Sequence, residues 1–280
     1  MSPDGCIVVG YVPTAFGSDA LNVAIALAKG RPTSLQVVMV GEQDSPFSGI
    51  YPHDRGYVSI VEESIAEWIN HALATVPDDT PAYGRYVRGR DIAVALSNVA
   101  DALDADLIVV GTREAQRFSR MAGTTVTLNL IKLAQRPIVL APRHYAYGGP
   151  AKRINCIIGG MEGAPDVLAD ALERSQLRGI PLRVVRVPDE KTVAGVVEKI
   201  DSLLAGQERV EVVEAPNFFD AAISTDWQLG DVAMIGTNRL LAQPSSFLAT
   251  PLSTVTKTIP VPAVVTPPGY KFHESLEKGK

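Results

Sequence analysis

Two stretches of the chain repeat one another 125 positions apart, Asp106 to Thr112 reading DLIVVGT and Asp231 to Thr237 reading DVAMIGT. Each is followed, 26 residues after its glycine, by a proline that opens a second apolar run, Pro137-Ile-Val-Leu and Pro262-Ala-Val-Val. The chain therefore reads as a tandem duplication. A buried strand ending in Gly-Thr, a helix-length segment and another buried strand form a βαβ unit, whose first turn presents backbone N–H groups suited to a phosphate. Function is to be sought at two related turns, which need not share one chemistry.

The periodicity supports the same plan in both copies. In the first half, Cys6 to Val9, Leu35 to Val40, Pro81 to Val87, Asp106 to Val110 and Pro137 to Ala141 are short apolar runs. They alternate with helical patterns over Ser18 to Lys29, through Val61, Ile65, Trp68, Ile69 and Leu73, over Ile92 to Leu103, and over Val126 to Leu133. In the second half, strands are expected at Asn155 to Ile158, Leu182 to Val187, Arg209 to Glu214 and from Asp231. Helices are expected over Pro165 to Leu177, through Val193 to Leu204, and through Phe218 to Trp227. Val/Ile-rich runs without in/out alternation imply parallel strands covered on both faces. The fold class is α/β, two tandem doubly wound five-stranded parallel-sheet domains. The expected boundaries are 1–145 and 151–270, with YAYGGPAKR (145–153) as linker and 271–280 as a polar tail. From Gly10 to Gly111 is 101 residues, but from Gly159 to Gly236 only 77. The shortfall falls between strands one and four, most plainly in the 42–57 loop and the helix after it, which predicts a shallower rim in the second half.

Composition narrows the function. A net charge of −5 with no Lys/Arg cluster gives little attraction for nucleic acid or anionic lipid. No window reaches the roughly 18 apolar residues of a membrane span, and the start, MSPDGCIVVGY, lacks a signal pattern, so the expected location is cytoplasmic. Cys6 and Cys156 read as equivalent buried strand residues, and His53, His71, His144 and His273 have no metal-ligand spacing. There is no Walker A, G-x-G-x-x-G or G-x-S-x-G motif. Trp68 and Trp227 read as core, and Asp106 and Asp231 as exposed turn residues opening the fourth strands.

The turns that remain are those after strands one and four. In the first half these are Gly10-Tyr11-Val12-Pro13-Thr14-Ala15 and Gly111-Thr112-Arg113-Glu114, with Gly123-Thr124-Thr125 at a helix start twelve residues beyond Gly111. Glycine admits an anion close to the backbone, hydroxyl residues cap helices and donate to phosphate oxygens, and Arg113 can add a charge-assisted contact. The same residues also serve as a tight turn and a plain N-cap.

This layout resembles the universal stress protein family, over essentially the whole chain and twice. ATP-binding members of that family carry G-x2-G-x9-G-[ST] after the fourth strand. The resemblance implies dimerisation through fifth strands, an internal pseudo-dimer of two domains placed face to face, a role in stress adaptation, and ATP or AMP in some members. Pairing of two chains into a homodimer is open. Carried onto this sequence, the ligand set is Tyr11, Val12, Pro13, Thr14, Val40, Gly111, Arg113, Gly123, Thr124 and Thr125. Glu114 replaces the second glycine, Gly123-Thr124 arrives one residue early, and Val12 or Ala15 stands where members that bind nucleotide have an aspartate. In the second half Arg239 replaces that glycine and Ala249-Thr250-Pro251 the Gly-Ser step, while Glu162 keeps an acid near the first turn. A nucleotide is therefore expected in the first domain only, on a non-catalytic binding module. The alternatives are an adapter with both sites lost and an enzyme of the wider adenine-nucleotide α-hydrolase-like group, whose SGG-type loop is absent here.

Overall fold

The structure is a computed structural model that describes residues 5–42, 55–112, 122–146, 148–189, 192–242 and 250–271. In the first repeat, β1 (Gly5–Gly10), α1 (Ala15–Ala28), β2 (Thr33–Glu42), α2 (Arg55–Leu73) and β3 (Ala82–Gly89) are followed by α3 (Ile92–Ala102), β4 (Leu107–Gly111), α4 (Ala122–Leu133) and β5 (Ile138–Ala141). The second repeat runs β6 (Arg153–Ile158), α5 (Ala164–Arg178), β7 (Leu182–Arg186), α6 (Val196–Leu204) and β8 (Val210–Glu214). It continues through α7 (Phe218–Ser224), β9 (Asp231–Gly236), the short α8 (Thr237–Leu241), α9 (Pro251–Thr258) and β10 (Ala263–Thr266). Within each repeat all strands are parallel, and the strand order is β3-β2-β1-β4-β5 in one and β8-β7-β6-β9-β10 in the other.

The repeats join edge to edge rather than face to face. β5 and β10 pair antiparallel, with Leu140 opposite Ala263, Val139 opposite Val264 and Ile138 opposite Val265, which makes one ten-stranded sheet. Opposed residues of a ladder share a face. Val139 and Val264 thus enter the apolar layer under α1, α2, α5 and α6, while Leu140 and Val265 enter the layer on the other side. Each layer crosses the seam without a break, so the halves share their cores.

The shortening of the second repeat lies where the spacing places it, between the second and third strands, since α2 has 19 residues and α6 has 9. Residues 43–54 lie outside the described residues, as does the tail beyond Lys271. Register corrects the alignment of the first strands. Ile7 pairs with Leu107 and Ile154 with Val232, and Leu107 and Val232 are repeat equivalents, so Ile7 matches Ile154. Cys156 thus corresponds to Val9 and Cys6 to Arg153, and the two cysteines face opposite layers instead of being equivalent. Both thiols are free, and burial pushes Cys6 up to about 11 and Cys156 higher still.

The fourth-strand aspartates are not exposed turn residues. Asp231 is 2% exposed and receives Arg153 Nε at 3.0 Å, Asn155 Nδ2 at 3.0 Å and the Gln228 amide at 3.0 Å. Asp106 is half-buried, and desolvation raises its pKa against the opposing pull of Arg31. Trp68 is 42% exposed rather than core. Trp227 lies beyond the end of α7, packed against the core with its indole donating to the Ala222 carbonyl at 2.9 Å.

The duplication also extends past the last strands. His144 and Gly269, 125 apart, both take positive φ (56° and 73°) and turn the chain back onto the first helix of their own repeat. There Asp19 on α1 accepts from the amides of His144 (3.1 Å) and Tyr145 (3.0 Å), and Asp166 on α5 accepts from Gly269 (2.8 Å). Asn22 also donates to the Tyr145 carbonyl at 3.1 Å, so this part of the expected linker is fastened to α1. Asp19→Ala leaves two amides without their acceptor and is expected to lower unfolding free energy by about 2 kcal/mol. Urea denaturation measures the loss, and an unchanged midpoint contradicts it.

Candidate functional site

In a doubly wound sheet the ligand crevice opens at the carboxyl ends of the strands where the strand order reverses. In the first repeat that point lies between β1 and β4, paired as far as Gly10 opposite Val110. Tyr11 continues β1 by donating its amide to the Val38 carbonyl at 2.9 Å; its ring is 6% exposed, and burial raises its phenol pKa. Val12, Pro13 and Thr14 then emerge into solvent. Thr14 is the N-cap of α1 in extended backbone, and its hydroxyl makes no capping bond. Val40 is half-buried near the end of β2.

Gly111 ends β4 at a close approach between backbones. A Cβ there would run into the Phe16 carbonyl oxygen in the first turn of α1, so packing alone requires glycine. Thr112 is buried, and its hydroxyl donates to the Ala141 carbonyl at 2.8 Å, committed to the sheet. Gly123, Thr124 and Thr125 fall in the first turn of α4. Arg113 and Glu114 lie outside the described residues. The structure therefore brings Tyr11 to Thr14, Val40 and Gly111 to the carboxyl ends of adjoining strands.

The matching crevice of the second repeat carries an ion pair of its own side chains. Arg239, on α8 directly after β9, pairs with Asp189 beyond β7, Nη2 to Oδ2 at 2.7 Å, the two side chains being 12% and 6% exposed. The guanidinium also lies over the Phe218 ring, 5.8 Å from its centroid. A Cβ on Gly159 would collide with Asp189 Oδ2 and Arg239 Nη2, which places the pair against the end of β6. A cavity of about 540 Å³ opens beside the pair, lined by Gly159 and Asp189 themselves together with Gly160, Val187, Thr192 and Glu214. The acid at this crevice is thus Asp189, which sequence reasoning missed. Glu162 is exposed, and its backbone carbonyl accepts from Asn238 Nδ2 at 2.9 Å. The visible signal was Arg239 in a glycine's place; a buried arginine implies a carboxylate, but nothing local identifies which.

Comparison with known proteins now bears on this geometry. Residues 7–142 match the profile of the Universal stress protein family. A universal stress protein of Mycobacterium tuberculosis is 24% identical over 93% of this chain and 99% of its own length. The first repeat belongs to the universal stress protein family. Among solved structures, a universal stress protein from Archaeoglobus fulgidus superposes with a TM-score of 0.66 at 16% identity, covering 95% of this chain and 97% of that one. A functionally unknown protein from Pseudomonas aeruginosa follows with a TM-score of 0.58 at 14% identity, covering 94% and 92%. Both likenesses extend through the two repeats, so the tandem α/β fold is shared with these structures.

Among the described residues no group of three or more His, Cys, Asp or Glu side chains could hold a metal ion. No described helix is long and apolar enough to cross a membrane.

Two comparisons of variants follow from this geometry. Gly111→Ala drives a Cβ into backbone and is expected to destabilise by about 3 kcal/mol. Gly236→Ala meets only Val167 Cγ2, at 3.1 Å, from a φ of −77° open to any residue, and is expected to be close to neutral in parallel denaturation curves. Arg239→Met strands the Asp189 carboxylate and is expected to lower stability by about 3 kcal/mol at pH 7, with recovery on adding Asp189→Leu, the double-mutant cycle being the readout.

Proposed function

We propose that the first repeat, residues 1–145, binds an adenine nucleotide, ATP or AMP, without turning it over, and that the chain acts in stress adaptation as a cytoplasmic binding module. The observation that carries this reading is the contrast between the two crevices. At the first, Val12 to Thr14 are exposed. At the second, the equivalent place carries the Arg239–Asp189 pair. A helix N-terminus at a switch point favours a phosphate group. The phosphates would be met by Thr14, by Gly111 to Arg113 and by Gly123 to Thr125. The base would lie toward Tyr11 to Pro13 and Val40. The second repeat would contribute structure rather than a ligand, within boundaries of 151–270.

One observation favours the adapter alternative. The need for glycine at 111 is met by the Phe16 carbonyl alone, so that residue would persist in a chain that binds no nucleotide. Titration of the full chain with ATP separates the readings. Saturable binding is expected, weakened about tenfold or more by Arg113→Ala and unaffected by the stabilised Arg239→Met, Asp189→Leu double variant. Absence of saturable binding up to millimolar ATP establishes the adapter instead. Release of phosphate or AMP over many turnovers, lost in Arg113→Ala, overturns the non-catalytic part.

A further inference from the structure

The seam between the repeats gathers more positive than negative charge. Because β5 and β10 run antiparallel, the amino ends of the first repeat's strands lie beside the carboxyl ends of the second repeat's strands. Arg31, in the turn after α1, and Asp106, at the start of β4, come from the first repeat. Asp170, Arg174 and Arg178 on α5, Thr266 at the end of β10 and Tyr270 beyond it come from the second. Within this group Asp170 is committed: 2% exposed, it accepts from Arg174 Nε at 2.6 Å and from the Thr266 hydroxyl at 3.1 Å. Asp106 faces Arg31. Arg136, the next cation, is taken by Asp101 and Asp104 at 3.2 and 3.0 Å.

Two loose ends remain. Among the described residues, Arg31 Nη1 is fully buried with no hydrogen-bond partner. The half-buried guanidinium of Arg178 forms no ion pair with a described residue, although Arg31 and Arg174 both lie within electrostatic range. A buried guanidinium N–H without an acceptor costs the loss of its hydration, and a third cation beside two others adds repulsion. A group bearing negative charge and several acceptor oxygens answers both, and planar guanidinium groups are shaped to receive it.

We propose that the seam is a binding site for a small inorganic oxyanion of the phosphate type, held between Arg31 of the first repeat and Arg178 of the second. The site is separate from the nucleotide crevice, which lies at the opposite, carboxyl end of the first repeat's strands. It draws one ligand from each repeat, so the anion ties the two halves at a place where the sheet ladder does not reach.

Calorimetric titration of the full chain with inorganic phosphate, at constant ionic strength set by sodium chloride, tests it. Wild type is expected to bind saturably and to melt at a higher temperature with phosphate. Arg31→Met and Arg178→Met are each expected to weaken binding by about tenfold or more and to lose the thermal increment, while Arg31→Lys retains part of both. Burial, then Arg31 and Arg174, lower the Arg178 pKa to about 9, against the smaller opposing pull of Asp170. That pressure against the charged form is what a bound anion would relieve. Arg113→Ala is expected to leave the phosphate titration intact. The proposal is overturned if wild type shows no saturable phosphate binding, which decides the matter even where the methionine variants fail to fold. It is equally overturned if Arg178→Met binds as wild type does, or if Arg113→Ala abolishes binding and so moves the phosphate to the nucleotide crevice.

Discussion

The pairing of β5 with β10 governs what the two repeats can do. A five-stranded parallel sheet with its last strand unpaired leaves a row of backbone donors and acceptors open along a buried edge. Here that edge is closed by its own duplicate, and the opposed pairs Val139–Val264 and Leu140–Ala263 extend both apolar layers across the seam. An antiparallel contact between two parallel sheets has a geometric consequence. The carboxyl ends of the strands, where each repeat would hold a ligand, point to opposite ends of the molecule. The two crevices cannot merge into one site, and each was left to its own fate.

Those fates differ through a single side chain. Arg239 stands where the family pattern has a glycine, and its guanidinium reaches back across the ends of β9 and β6 to Asp189, above Phe218. An internal ion pair thereby stands at the end of β6, beside an open cavity that Asp189 also lines. The first repeat has no counterpart to this pair among its described residues, and its β1 turn stays exposed. Glycine conservation within such a motif needs care, because Gly111 is demanded by the Phe16 carbonyl whether or not a phosphate ever arrives.

Much of the fold was legible because parallel strands buried on both faces are written as short unbroken apolar runs, and helices between them as 3.6-residue periods. Boundaries moved where capping decided them. α1 begins at Ala15 rather than Ser18 because Thr14 already has N-cap geometry, and α6 begins at Val196 because Gly195, at φ 77°, precedes it. The candidate site was legible as a set of turns but not as a set of contacts. Asp189 joins Arg239 across 50 positions of sequence, and Asp231 joins Arg153 across 78. Such partners have no local signature. The misreadings of Trp68 and of the fourth-strand aspartates share this cause, since periodicity gives the direction of a side chain without saying what, if anything, covers it.

By itself the sequence determined the duplication, the order and type of the elements, the parallel sense of each half, and the place of the shortening between the second and third strands. All of these follow from local periods and short-range steric rules that neighbouring residues carry with them. Only the tertiary structure decided that the halves meet edge to edge, that register sets Cys6 opposite one layer and Cys156 opposite the other, that one crevice carries an ion pair, and that arginines of both repeats meet at the seam. Those outcomes depend on which distant groups come within a few ångströms once the β5–β10 ladder forms, and burial rather than residue type then sets the strength of each charge.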